Sequence, residues 1–189
     1  MKKLGLLVAM TAALAVTSTA ALAKNAPSFD FVSGSYVNVD VDGTHVGGMQ
    51  FDFSKSLNEN WFGTAFARHL SKGELDNTSF AAGFGYKHNL SESTALYGIL
   101  ALVYDDVDAG SLMNDSDTGY GVSAGVRHNF GNSFELDANI QHVDIWEDTE
   151  QNYTLSGKYY FTSEWAVKAG YTHVDSDVSM TFVGFSYEF

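Results

Sequence analysis

Hydrophobic and polar side chains alternate along most of this chain. Between Phe80 and Lys87 one set of positions reads Phe80, Ala82, Phe84, Tyr86, and the other reads Ala81, Gly83, Gly85, Lys87. A period of two is that of a β-strand, whose successive side chains point to opposite faces. The same reading fits Tyr120, Val122, Ala124 and Val126 against Gly121, Ser123, Gly125 and Arg127. It also fits Phe134 to Gln141 and Tyr153 to Phe161. Ten such segments can be marked, at about 29–41, 45–55, 61–70, 78–89, 95–106, 117–129, 133–146, 149–161, 165–175 and 178–189, with ends good to ~2–4 residues. An eight-strand arrangement is the alternative, if the first or fifth hairpin is irregular.

A soluble sandwich alternates too, so alternation does not say which face meets water. The polar faces, however, combine charges with many glycines, Gly83, Gly85, Gly121, Gly125, Gly170 and Gly184 among them. Small residues make room for Lys, Arg and Tyr side chains in a crowded polar interior, which puts the apolar faces outside, toward lipid. No apolar run after residue 23 approaches the ~20 residues of a spanning helix, whereas most segments are near the ~9–11 residues of a tilted spanning strand. The fold class that follows is all-β: a closed, antiparallel, up-and-down transmembrane β-barrel.

The connections fall into two alternating classes. Polar turns bracketed by aromatics, such as Lys55 to Trp61, His88 to Ser93, His128 to Ser133 and Phe161 to Trp165, read as periplasmic. The other five, near residues 42, 73, 110, 148 and 176, are acidic and read as external, with Val107 to Asp117 long enough to fold over the mouth. Aromatics at both strand ends, including Trp61, Phe130, Phe134 and Trp165 at one and Tyr104, Tyr120, Trp146 and Tyr171 at the other, suit two interfacial girdles.

Lys2 and Lys3, the apolar run Leu4 to Val16 and the ending Ala21-Leu22-Ala23 match a cleavable secretory signal at 1–23, leaving residues 24–189 as one barrel domain. Cysteine is absent, so neither disulfides nor a lipid-anchoring thiol is available. Without Lys2 and Lys3 there are 8 basic and 23 acidic residues, a net charge of 8 − 23 = −15. Nucleic acid, which needs a basic stripe, is thereby excluded as a partner.

The segment Val183 to Phe189, with Gly184, Phe185, Tyr187 and Phe189, looks like the C-terminal assembly signal of bacterial outer-membrane barrels, although Phe182 stands where that pattern has a polar residue. The chain as a whole resembles the small outer-membrane barrel family that includes the opacity-like porins and the xanthomonad quorum-regulated short outer-membrane proteins. Gly34 to Val37, Gly83 to Ser91, Gly121 to Phe130 and Trp165 to Val167 carry the likeness. The resemblance implies an outer-membrane location, with lipid, lipopolysaccharide, periplasmic chaperones and the barrel-assembly machinery as partners. It brings no catalytic residue set and no cofactor.

Lys87, Arg127, Lys158 and Lys168, with Glu135, Asp137 and Glu188, are expected to meet in the lumen. There they either plug it as a salt-bridge network or form an ion-selecting constriction. Fifteen carboxylates fall in the external loops; Asp105, Asp106, Asp108, Asp115 and Asp117 are a candidate rim for calcium or magnesium, whose preferred ligands are oxygens. His142 and Asp144 share a strand face, but no nucleophile accompanies them, and the chain is read as a non-enzyme. The function that emerges is a small envelope barrel, structural or a narrow passive pore, with an acidic-loop interaction protein as the alternative. Carbonate-washed membranes should retain a mature protein beginning at Lys24. Release into the soluble fraction would replace the barrel with a lipocalin-like binder.

Overall fold

A computed structural model describes residues 26–110 and 114–189. They form β1 (Phe31–Val41), β2 (Thr44–Ser56), β3 (Trp61–Lys72), β4 (Leu75–Asn89), β5 (Thr94–Asp108), β6 (Asn114–Phe130), β7 (Phe134–Ile145), β8 (Asp148–Tyr160), β9 (Trp165–Asp175) and β10 (Val178–Glu188). Each strand pairs antiparallel with its sequence neighbours. β1 also pairs with β10, from Phe31 opposite Glu188 to Val41 opposite Val178, so the sheet closes into a ten-strand barrel and the eight-strand alternative falls away. The leader expected at 1–23 lies outside the described residues.

Burial separates the two faces in the sense opposite to a soluble protein. Leu102 is 70%, Phe84 65% and Leu100 62% exposed, whereas Glu135 and Glu188 are 1% and 3% exposed. A barrel with its largest apolar side chains outside and its carboxylates inside is built for lipid. Closure is what makes this tolerable, because every strand then has two hydrogen-bonding neighbours and no edge faces hydrocarbon.

The turns follow from their residues. Asp42 (φ 49°) and Gly43 (φ 80°) form the two-residue link between β1 and β2, the Asp-Gly pairing that left-handed hairpin turns favour. At the termini-bearing end, Leu57, Leu90 and Phe161 each donate a backbone N–H to the carbonyl four residues on, at 2.8, 2.9 and 3.1 Å. That shared bond is the structural content of the repeated turn motif. At the opposite end, Val107 and Asp108 and the residues from Asn114 to Asp117 are strand. β5 continues to Asp108 and β6 begins at Asn114 because Asp106 still pairs with Ser116 and Val107 with Asp115. Among the described residues of this connection the ladder therefore extends further than expected.

Inward glycines let neighbouring strands and side chains approach. A Cβ on Gly184 would strike the carbonyl oxygen of Gly34 and the backbone of Ser35, while one on the lipid-facing Gly63 would meet nothing within 4 Å. Gly184→Val should cost ~1–3 kcal/mol by overpacking, lowering the temperature at which the folded barrel loses its compact mobility on detergent gels. Gly63→Ala should leave that temperature unchanged; equal losses would contradict the inward assignment.

Candidate functional site

The lumen near the termini is crossed by a layer of charges that the strand register brings together. Glu135 on β7 stands directly opposite Lys158 on β8, and Arg127 on β6 opposite Asp137 on β7. The Lys158 ammonium lies 3.2 Å from Glu135 and 3.1 Å from Glu188 on β10, the next strand but one. The Tyr160 hydroxyl lies between both carboxylates, donating to Glu188, with Glu135 a second acceptor for the same proton at 3.3 Å. Arg127 Nε donates to Asp137 Oδ2 at 2.5 Å, and the Tyr97 hydroxyl to Asp137 Oδ1 at 2.8 Å.

Lys158 also stands directly opposite Lys168 on β9, a like-charge pairing that destabilises a ladder unless each partner is neutralised. They are neutralised by different acids. Lys158 takes Glu135 and Glu188, while Lys168 donates to Asp52 Oδ2 at 2.8 Å, reaching β2. Asp52 is further held by Ser33 and Gln50, each at 2.7 Å. Lys87 stands apart from this layer and donates to Ser56 Oγ at 3.0 Å. Of the seven lumen charges read from the sequence, six are therefore in carboxylate pairs and Lys87 is on a hydroxyl; Asp52 completes the set.

Beneath the layer sits a plug. The segment preceding β1 turns into the mouth and buries Phe29 against Phe62, Ala95 and Tyr97. The Arg127 guanidinium lies 4.4 Å and the Lys87 ammonium 4.9 Å from the Phe29 ring centroid, distances at which a cation is attracted to the ring. Backbone oxygens hold the segment: Ser28 accepts from Arg127 Nη1 at 2.9 Å and Phe29 from Ser54 Oγ at 2.6 Å. Asp30 accepts from the Ser56 N–H at 2.8 Å. Against the opposing effect of partial burial, that N–H and the Lys55 ammonium hold its carboxyl below the ordinary range.

Above the layer the lumen widens into a cavity of ≈ 440 Å³ whose floor includes Arg127, Asp137, Lys158 and Lys168. Arg68 enters it from β3, donating to Ser79 Oγ at 3.3 Å and Met180 Sδ at 3.5 Å. At the rim, the five carboxylates proposed as a cation site divide between faces. Asp105, Asp115 and Asp117 share the inward parity of their strands; Asp106 and Asp108 share the outward parity of Tyr104. Asp105 and Asp117, opposite each other in the ladder, are bridged by Trp146, whose indole N–H donates to Asp105 at 3.1 Å and whose backbone N–H donates to Asp117 at 2.6 Å. Among the described residues no three His, Cys, Asp or Glu side chains converge as a metal would require. Trp146 is therefore a rim clasp, not a member of the lipid girdle as its place in the sequence suggested. Asp144, beside His142, accepts from the Tyr120 hydroxyl at 3.4 Å.

At the C-terminal strand, Gly184 faces inward against β1 and Phe185 outward at 58% exposed. Tyr187 packs on Trp165 with ring centroids 4.9 Å apart, and Phe189 stacks on Phe53 at 6.3 Å under the Lys55 ammonium.

Residues 7–161 match the family model described as outer membrane protein beta-barrel domain. No curated protein is a significant sequence match. Among solved structures, the NanC porin aligns with a TM-score of 0.51 at 10% identity, covering 82% of this chain and 100% of its own. The KdgM porin gives 0.48 at 12% identity, covering 83% and 99%. Ail of Yersinia pestis gives 0.41 at 16%, covering 84% and 95%.

Removing one member of a buried charge set strands the rest. Lys158→Met should cost ~3–5 kcal/mol in urea unfolding of the micelle-bound barrel, and adding Glu135→Gln and Glu188→Gln should recover most of it. A single-variant cost of only ~0–1 kcal/mol, as for a surface pair, would mean that the layer does not order the lumen.

Proposed function

The chain belongs to the outer membrane protein beta-barrel domain family, and on that footing we propose that it acts as a closed structural barrel of the envelope rather than as an open diffusion channel. Its location in the outer membrane follows from the family. The closed state rests on one observation: the end of the lumen that carries both termini is filled, first by paired charges and then by the Phe29 plug. An ion passing through would have to separate Arg127 from Asp137, or Lys158 from its two carboxylates, in a space those groups already occupy. Open selectivity rings instead leave their charges facing a water path. Export through the leader at 1–23 and cleavage after Ala23 are part of the same proposal.

The porin likeness keeps a narrow pore as the competing reading, and one experiment separates the two. In planar bilayers the purified barrel should give no steady conductance, and Phe29→Ala should convert silence into brief openings. Discrete steady conductance from the unaltered protein, with an ion selectivity that changes in the Lys158→Gln, Lys168→Gln variant, would establish the pore instead.

A further inference from the structure

The cavity above the paired floor has no part in closing the barrel, and its walls are chemically specific. At ≈ 440 Å³ it falls within the ~300–1,000 Å³ of small-molecule sites. Arg68 projects into it with donors to spare. A guanidinium has five N–H groups; those of Arg68 bond only weakly polar, neutral acceptors, Ser79 Oγ and Met180 Sδ, and its buried Nε has no hydrogen-bond partner. Asp105 reaches it through the Ser79 hydroxyl, which donates to that carboxylate at 2.6 Å. Asp52, on the neighbouring strand, is committed to Lys168. The contrast with Arg127 and Lys158, each seated directly on carboxylates, is the central observation: Asp105, Asp52 and the Glu150 carboxylate on the cavity wall act on Arg68 through space, but its hydrogen bonds go to neutral acceptors.

The rest of the cavity is divided. Beside Arg68 lie Leu70, Met180 and Phe182, part of an apolar cluster that fills the β1, β2, β3 and β10 side of the lumen. On β8, five strands round the ring of ten, Asn152 presents a buried Oδ1 that also has no hydrogen-bond partner, next to Thr154. Burying a polar atom without a partner costs free energy that a bound group can return.

We propose that this cavity binds a small organic carboxylate: its acid group forked onto the Arg68 guanidinium, its body against Leu70, Met180 and Phe182, and a hydroxyl at its far end donating to Asn152. Arginine suits this task because its planar fork matches a carboxylate bidentately. The acidic rim opposes an anion's approach only over about a Debye length, ~8 Å at physiological salt, so binding is to be measured at that ionic strength.

The probe is 4-hydroxybenzoate, titrated into the isotope-labelled barrel extracted from outer membranes in detergent micelles, with backbone amide shifts as readout and uncharged 4-hydroxybenzamide as control. Shifts of the Arg68 and Asn152 amides should saturate together. The amide control should bind at least about tenfold more weakly, the order of one charge-assisted bond. Arg68→Met should erase the preference for the acid, Arg68→Lys should keep part of it, and Asn152→Ala should weaken acid and amide alike. Equal affinity for acid and amide, an unchanged acid preference in Arg68→Met, or shifts confined to the detergent-facing aromatics would each overturn the proposal. If Arg68→Met does not fold, the acid-to-amide ratio on the unaltered barrel decides alone. Because none of these readouts requires the lumen to be closed, failure here leaves the bilayer result standing, and the reverse.

Discussion

In hydrocarbon there is no water to satisfy a backbone N–H or carbonyl, and the whole molecule is organised around that constraint. The pairing of β1 with β10 is the step that meets it: eleven residue pairs, Phe31 with Glu188 through Val41 with Val178, turn a sheet with two edges into a ring with none. Once the ring exists, side-chain alternation has only two destinations. The apolar set must face lipid and the polar set must share a narrow interior. Every later feature, from the inward glycines to the crossed charge pairs, is a way of fitting the polar set into that space.

The interior solves this problem in two ways at two depths. Near the termini it pairs charges directly and caps them with aromatics, so Lys158 and Lys168 stand side by side, each held by different acids. Further up, hydroxyls, carboxamides and an apolar cluster share the wall with Asp52 and Glu150, and the hydrogen bonds of Arg68 go to neutral groups. A buried charge without a hydrogen-bonded counterion is expensive, and the lumen accommodates one at the depth where the cavity opens. At the rim the logic changes again. Trp146 adopts φ 61°, a conformation that costs a non-glycine residue ~1–3 kcal/mol, and it gives two N–H groups to facing carboxylates that would otherwise repel.

Much of this was legible in the sequence because the barrel's rules are local. Alternation fixed which side chains share a face, and turn chemistry fixed where strands stop; the ninth segment, 165–175, is reproduced to the residue. The inward direction of Glu135, Asp137 and Lys158 follows from the same parity. What local rules cannot supply is distance across the lumen. Asp52, flanked by Phe51 and Phe53, has a plain inward parity, yet nothing in its neighbourhood names Lys168, which is 116 residues away. Arg68 likewise shows its direction and hides its acceptors. Phe29 falls at the head of the first alternating segment, 29–41, yet it lies ahead of β1. Its burial depends on a pocket made by β3 and β5, which no window around residue 29 contains. The acidic stretch 107–117 reads as a loop because charge usually marks one, whereas Val107, Asp108 and the residues from Asn114 to Asp117 carry their charge in a ladder.

That Phe29 lies next to β1 in the chain while its pocket comes from Phe62, Ala95 and Tyr97, with Arg127 and Lys87 over the ring, has a consequence for the order of events in assembly. The seat for this ring is made by β3 to β6, and the pairing of β1 with β10 holds the residues ahead of β1 at the mouth. A residue ahead of the first strand thus depends for its seat on strands that follow it in the chain. Before that ring is seated, the paired charges alone close this end of the lumen, and a single phenylalanine completes the seal.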